Sequence, residues 1–150
     1  MLELSTFGSV GGAAGNCRLY PAKAARWDRD RQVSRVYPWS DEWDQNRCNT
    51  LEAGPRTTTP VGMYPDGAGP YGCLDMAGNV WEWCQSKYAD YPYKSDDGRE
   101  ELSGDLARVV RGGAWDGYRP FARCACRFDF HPDYRSGNIG FRVLVSRAPA

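Results

Sequence analysis

Thiols and carboxylates carry most of the chemistry open to this chain. Cysteines stand at positions 17, 48, 73, 84, 124 and 126, and His131 is the single histidine. One imidazole cannot build a multi-histidine metal centre, so imidazole catalysis or ligation would fall to His131 alone. No C-x-x-C pair occurs, which removes the usual spacing of a structural zinc site. Cys124 and Cys126 are spaced C-x-C; on a strand both would face one side, close enough to share a soft metal ion. An even number of cysteines permits disulfides. However, the start MLELSTFGSVGGAAG has an acidic residue at Glu3, no basic residue before Arg18 and no apolar core of signal-peptide length. Without an export signal, the expectation is free thiols and a cytoplasmic or phage- or virus-associated setting.

The elements that must position these groups are short. The chain has 150 residues, 13% of them aromatic, with 17 Gly and 10 Pro, so one domain rich in loops and turns is expected. Formal net charge is zero with no Lys/Arg block, so nothing here calls for a nucleic-acid partner. No stretch approaches the roughly 20 apolar residues that span a bilayer. Residues 1–16 are Gly/Ala-rich and read as a flexible N-terminal segment, with the domain proper at 17–150. Tyr20 to Trp27 suits a short helix with Pro21 at its first position. Residues 41–70 are punctuated by turn formers. Strands are expected at Val80–Cys84, Arg108–Trp115 and Ile139–Val145, with a polar, aromatic-spotted loop over 88–104.

Within 114–143 two kinds of position alternate. Asp116, Gly117, Tyr118, Phe121, Ala122, Cys124, Cys126, Phe128, Asp129, Phe130, His131, Tyr134, Ser136, Gly137 and Asn138 follow neither a period of two nor one of 3.6, so core packing does not account for them. Aromatics among them would give large, rigid contact surfaces with few torsions to freeze, and the polar ones directional contacts. Neighbouring exposed aromatics such as Phe128 and Phe130 call for a binding face; for Phe121, core and surface are equally open.

The residues between these positions form a framework: Arg111, Gly112, Gly113, Trp115, Arg123, Arg127, Pro132, Asp133, Arg135 and Ile139-Gly140-Phe141-Arg142. With Tyr37-Pro38-Trp39, Pro60-Val61-Gly62 and Asp75-Met76-Ala77-Gly78-Asn79-Val80-Trp81-Glu82-Trp83, it resembles the formylglycine-generating enzyme family, or sulfatase-modifying-factor domain, from about Ala22 to Val145. The resemblance implies an α+β, C-type-lectin-like fold, loop-rich with short antiparallel strands. It begins near the middle of the family pattern, so the fold is expected to be abbreviated at its N-terminal side. An uncovered sheet edge would invite pairing with a second copy as a homodimer.

Enzymes of the family oxidise a substrate cysteine with two copper-binding cysteines, five residues apart after the Gly-Gly motif. Counted from Gly112-Gly113, those positions fall here on Gly117 and Ala122, which cannot ligate a metal, so no copper is expected. A second branch, the iron-dependent sulfoxide synthases, needs histidines that this chain lacks. The layout of variable blocks is instead similar to the ligand-binding variable proteins of diversity-generating retroelements, in which adenines of Asn codons are randomised. Such codons keep a pyrimidine in third place and can never become Lys, Glu, Gln, Met or Trp, and residues 116–138 contain none of these. The expected function is therefore non-enzymatic binding of a protein or cell-surface ligand. The alternative is a metal-dependent oxidase, or its degenerate relative, using Cys124 or Cys126.

The resemblance also implies a structural Ca²⁺ held by the side chains of Asp75 and Glu82 and the carbonyls of Gly78 and Val80. Asn49-Thr50 resembles part of a second such site whose following loop is shorter here. The competing reading is that Asn79 caps a turn and Glu82 pairs with an arginine. Trp81, Trp83 and Trp115 are expected in the core, with Arg111, Arg127 and Arg142 satisfying buried carbonyls or acids.

Overall fold

The computed structural model describes residues 26–28, 33–94 and 96–143. Strands β1 (Arg26–Asp28) and β2 (Val33–Arg35) pair antiparallel as a separate ribbon. The main sheet has four strands: β3 (Trp81–Lys87), β4 (Arg108–Arg111), β5 (Arg127–Phe130) and β6 (Ile139–Gly140), in spatial order β5-β4-β3-β6. β4 pairs antiparallel with both β3 and β5, whereas β6 lies parallel to the start of β3. Single 3-10 turns at Gln45–Arg47, Pro65–Gly67 and Arg119–Ala122 supply the helical component among the described residues.

Several expected boundaries shift for identifiable reasons. Arg26 and Trp27 belong to β1 and not to the end of a helix, while residues 20–25 of the expected helix, like the segment 1–16, lie outside the described residues. β4 stops at Arg111 and does not run to Trp115, because Gly112 and Gly113 adopt φ of +92° and +78°, a region an L side chain rarely enters. A Cβ on Gly113 would also sit 3.0 Å from the Phe121 backbone, so the glycine lets the chain fold closely over the 119–122 turn. β3 runs three residues beyond Cys84, and β6 is parallel where only antiparallel strands were expected.

Apolar packing divides between two clusters. One holds Trp81, Val110, Ala114 and Cys126, with Trp83, Phe121, Phe130 and Ile139 packed against it. The other holds Tyr37, Cys48, Ala77 and Ala122, flanked by Val36, Trp39 and Trp43. Its Tyr37 and Trp39 rings stack at 5.5 Å with 10° between planes. Trp83 and Trp115 are half-buried, so Trp81 alone of the three tryptophans is a core residue in the expected sense.

With so little regular structure, side chains must satisfy much of the buried backbone. Asn79, at φ +68°, accepts the Thr59 N–H (2.9 Å) and the Asn49 amide (3.1 Å) on Oδ1 and donates to the Thr59 carbonyl (3.2 Å). Its backbone N–H donates to Asn49 O (2.8 Å) and its carbonyl accepts from Trp115 N–H (3.0 Å). The arginines act as expected: Arg111 donates to Cys124 O (2.9 Å) and Arg127 to Ala89 O (2.6 Å). The Arg127 guanidinium also lies between the Tyr88 and Tyr91 rings, at 4.4 and 4.3 Å from their centroids.

Truncating Trp81 removes a large aromatic from the centre of one cluster, so Trp81→Ala should cost on the order of 3–5 kcal/mol in denaturant titration. Asn79→Ala should cost about 2–4 kcal/mol, since it strands a buried Thr59 N–H and carbonyl and removes a residue tolerant of left-handed backbone.

Candidate ligand-binding surface

Two backbone hydrogen bonds pin the ends of the variable stretch to the framework. Trp115 N–H reaches Asn79 O (3.0 Å) and Trp81 N–H reaches Asn138 O (2.8 Å). The blocks 116–118 and 136–138 consequently meet: the Asn138 amide donates to both carboxylate oxygens of Asp116, at 3.2 and 3.0 Å. Trp115 Nε1 donates to Gly137 O at 3.4 Å in the same place.

Between these ends β5 carries Phe128 and Phe130 on one face of the sheet, opposite Val110 and Arg108 of β4. Phe128 lies 6.0 Å from the Trp81 ring and 5.4 Å from Phe130. Phe130 meets Trp83 edge-on at 6.3 Å and stacks on Tyr134 at 4.3 Å with 7° between planes. The aromatic run therefore starts in the core at Trp81 and emerges at Phe128 (41% exposed) and Tyr134 (38% exposed). A turn sets Tyr134 in place: its N–H donates to His131 O (2.9 Å), and Asp133 N–H donates to His131 Nδ1 (3.3 Å). Tyr118, at 58% exposure, projects from the turn that leads into the 119–122 element.

Two of the expected contact residues fall out of the set. Ala122 and Cys126 are 1% and 4% exposed and belong to the two cores, so neither can touch a ligand. Cys126 is disulfide-bonded, which corrects the free-thiol expectation at that position; Cys48, Cys73 and Cys84 carry free thiols. Cys124 and Cys126 lie on a turn before β5 and not on the expected strand, with Cys126 N–H bonded to Arg123 O (2.9 Å).

Phe121 is half-buried and packs edge-on against Trp81 at 6.0 Å, which settles it as mainly core. Gly117 is half-buried, its carbonyl accepting from Leu51 N–H at 3.0 Å. Asp129 pairs with Val109 and points to the sheet face opposite Phe128 and Phe130. His131, Ser136 and Gly137 are exposed with Asp116, Tyr118, Phe128 and Tyr134. The Phe128/Phe130 pair does obey a strand period, contrary to the sequence reading, but β5 is only four residues long. Trp83 and Trp115 join this surface without having been expected there; the Trp81-x-Trp83 alternation on a strand was the available signal.

The two carboxylates of the calcium quartet already have partners within the chain. Both Glu82 carboxylate oxygens are engaged by Arg142. Asp75 Oδ2 accepts the Gly62 N–H at 2.8 Å. Gly78 is explained by packing: a Cβ there would lie 2.3 Å from Asn49 O. Ca²⁺ takes roughly six to eight oxygens, more than these residues supply with one oxygen each. Two of the thiols, Cys48 and Cys84, are unsuited to attack. Burial pushes the Cys48 thiol up to about 12 and raises Cys84 as well, away from the thiolate form that reacts or ligates.

The sequence matches the sulfatase-modifying factor enzyme 1-like domain over residues 12–147. It is 36% identical over 143 residues to the formylglycine-generating enzyme of Streptomyces coelicolor, covering 79% of this chain and 44% of that protein. It is 33% identical over 127 residues to the inactive C-alpha-formylglycine-generating enzyme 2 of Mus musculus, covering 75% and 37%. The solved Treponema denticola variable protein 1 superposes with a TM-score of 0.56 at 31% identity, over 66% of this chain and 36% of its own. The chain thus spans less than half the length of each of these relatives.

Burial predicts a graded response to serine substitution. Tyr118→Ser and Tyr134→Ser should each change stability by within about 0.5 kcal/mol. Phe130→Ser, which loses contacts to Trp83 and the core, should cost about 1–3 kcal/mol. Denaturant titration of the single variants checks the order.

Proposed function

The chain belongs to the sulfatase-modifying-factor family, and within it we propose a non-enzymatic ligand-binding protein that displays a hypervariable surface. The observation that carries this reading is the aromatic run that leaves the core at Trp81 and surfaces at Phe128 and Tyr134 within the variable stretch. Solvent-facing rings with few free torsions suit recognition of a protein or cell-surface group. Asp116, His131 and Ser136, exposed in the same stretch, add polar contacts at the rim. Similarity to a protein named as a variable protein supports the same reading, as does the restricted amino-acid alphabet of residues 116–138. Diversification by a retroelement accounts for that alphabet, since a pyrimidine-ending codon altered at adenines reaches every residue found at the exposed variable positions.

The second reading, a metal-dependent oxidase, is favoured by the similarity to a formylglycine-generating enzyme. The positions that correspond to its paired cysteines count against it. Gly117 has no ligand atom beyond its backbone, and Ala122 is enclosed by Tyr37, Cys48 and Ala77. Supplied with copper and a cysteine-containing peptide, the protein should leave the thiol unoxidised; steady turnover would favour the oxidase.

The gene itself tests diversification. Codons for Asp, Tyr, Phe, His, Asn and Cys end in pyrimidine by the genetic code, so the informative positions are Gly117, Ser136 and Gly137. Each should carry a pyrimidine third base. A near-identical repeat of this segment, with adenines wherever the two copies differ, should lie beside a reverse-transcriptase gene. Purine third bases at these three codons, or no such repeat in the source genome, would remove the retroelement from the account.

A further inference from the structure

The turn from Asp75 to Glu82 collects negative and partially negative oxygens, and one guanidinium of the same chain already answers them. Arg142 follows β6 directly. Its Nε donates to Glu82 Oε2 at 2.6 Å, and its Nη2 pairs with Glu82 Oε1. Nη1 donates to the Leu74 carbonyl at 3.2 Å and Nη2 to the Asp75 carbonyl at 3.0 Å. One planar cation therefore gathers a carboxylate and two carbonyls from residues 60 to 68 positions away. The two side chains are 28% and 21% exposed, so the pair stands largely out of water, and contact with Glu82 raises the Arg142 pKa further. Asp75 holds its left-handed φ of +52° with its carboxylate turned to the Gly62 N–H.

We propose that the Arg142 guanidinium is the built-in cation of this turn, standing in for Ca²⁺, so that the domain folds without a metal. A Ca²⁺ ion drawn to Glu82 would have to displace two charge-assisted hydrogen bonds in fork geometry. It would then sit beside the displaced positive charge. The ion would also need several more oxygens: Asp75 adds the carboxylate oxygen not already bonded to Gly62 N–H, and with the Gly78 and Val80 carbonyls the count still falls short of six. The arginine further ties the edge strand β6 to the head of β3, a task that a bound ion in the turn would leave undone.

The test uses the whole chain stripped with a chelator and then titrated with calcium chloride, followed by calorimetry and thermal melting. The expected result is no binding heat and no change in melting midpoint; saturable binding with a raised midpoint would overturn the proposal. Arg142→Met, which keeps the apolar stem, should melt about 5–10 °C below the parent. Added Ca²⁺ should raise its midpoint, because the carboxylate and carbonyls are then released. A variant that melts like the parent would overturn the proposal from the other side. Should Arg142→Met fail to fold, the titration of the parent chain decides alone.

Discussion

The Asn79 amide joins loops that no strand ladder connects. Its Oδ1 takes the Thr59 N–H and the Asn49 amide, and its Nδ2 returns a bond to Thr59 O, all away from water. A domain built from strands of two to seven residues leaves many backbone groups without ladder partners, and unpaired groups in the interior are costly. Asn79 meets that demand for the 49–59 segment and passes the register on. Its own carbonyl holds Trp115, and two residues later Trp81 N–H holds Asn138. Both ends of the variable stretch are thereby fixed near the start of β3, one at Asn79 just before the strand and the other at its first residue, Trp81.

Once its ends are held, the stretch between them need not stabilise itself. Ala122 and Cys126 pass through the cores and anchor its middle, while Tyr118, Phe128 and Tyr134 face outward. The division runs through single elements: on β5, Arg127 is buried and Phe128 exposed. It also runs through the aromatic chain, since Trp81 is buried and Tyr134, three ring contacts away, is open to solvent. A buried interior thus reaches solvent-facing side chains within a few ring contacts, the arrangement that the proposed binding face requires.

The sequence disclosed most where several residues act together. The alternation over Val80–Cys84 located β3, and the arginines were read as partners of carbonyls or acids, as Arg111, Arg127 and Arg142 prove to be. Other features depend on contacts that no local pattern encodes. β5 escaped because two phenylalanines over four residues are too few to establish a period. Ala122 and Cys126 looked like their variable neighbours, because small size and a thiol say nothing of burial until the 119–122 turn directs them inward. For Glu82 the sequence left two partners open, an ion implied by the family motif or an arginine, and only the folded chain shows that Arg142, 60 residues further along, reaches it.

The most direct measurement of the central claim is a stability scan over residues 111–140. Each position is replaced in turn by Asn, Ser, Tyr, Asp and Gly, residues that adenine changes in an Asn codon can reach, and folded protein is scored by protease resistance. The account predicts tolerance at Asp116, Tyr118, Phe128, His131, Tyr134, Ser136 and Gly137. It predicts loss of fold at Arg111, Gly113, Ala122, Cys126 and Arg127. Equal intolerance in the two groups would mean that the stretch is ordinary core and loop, and would contradict the separation of surface from scaffold.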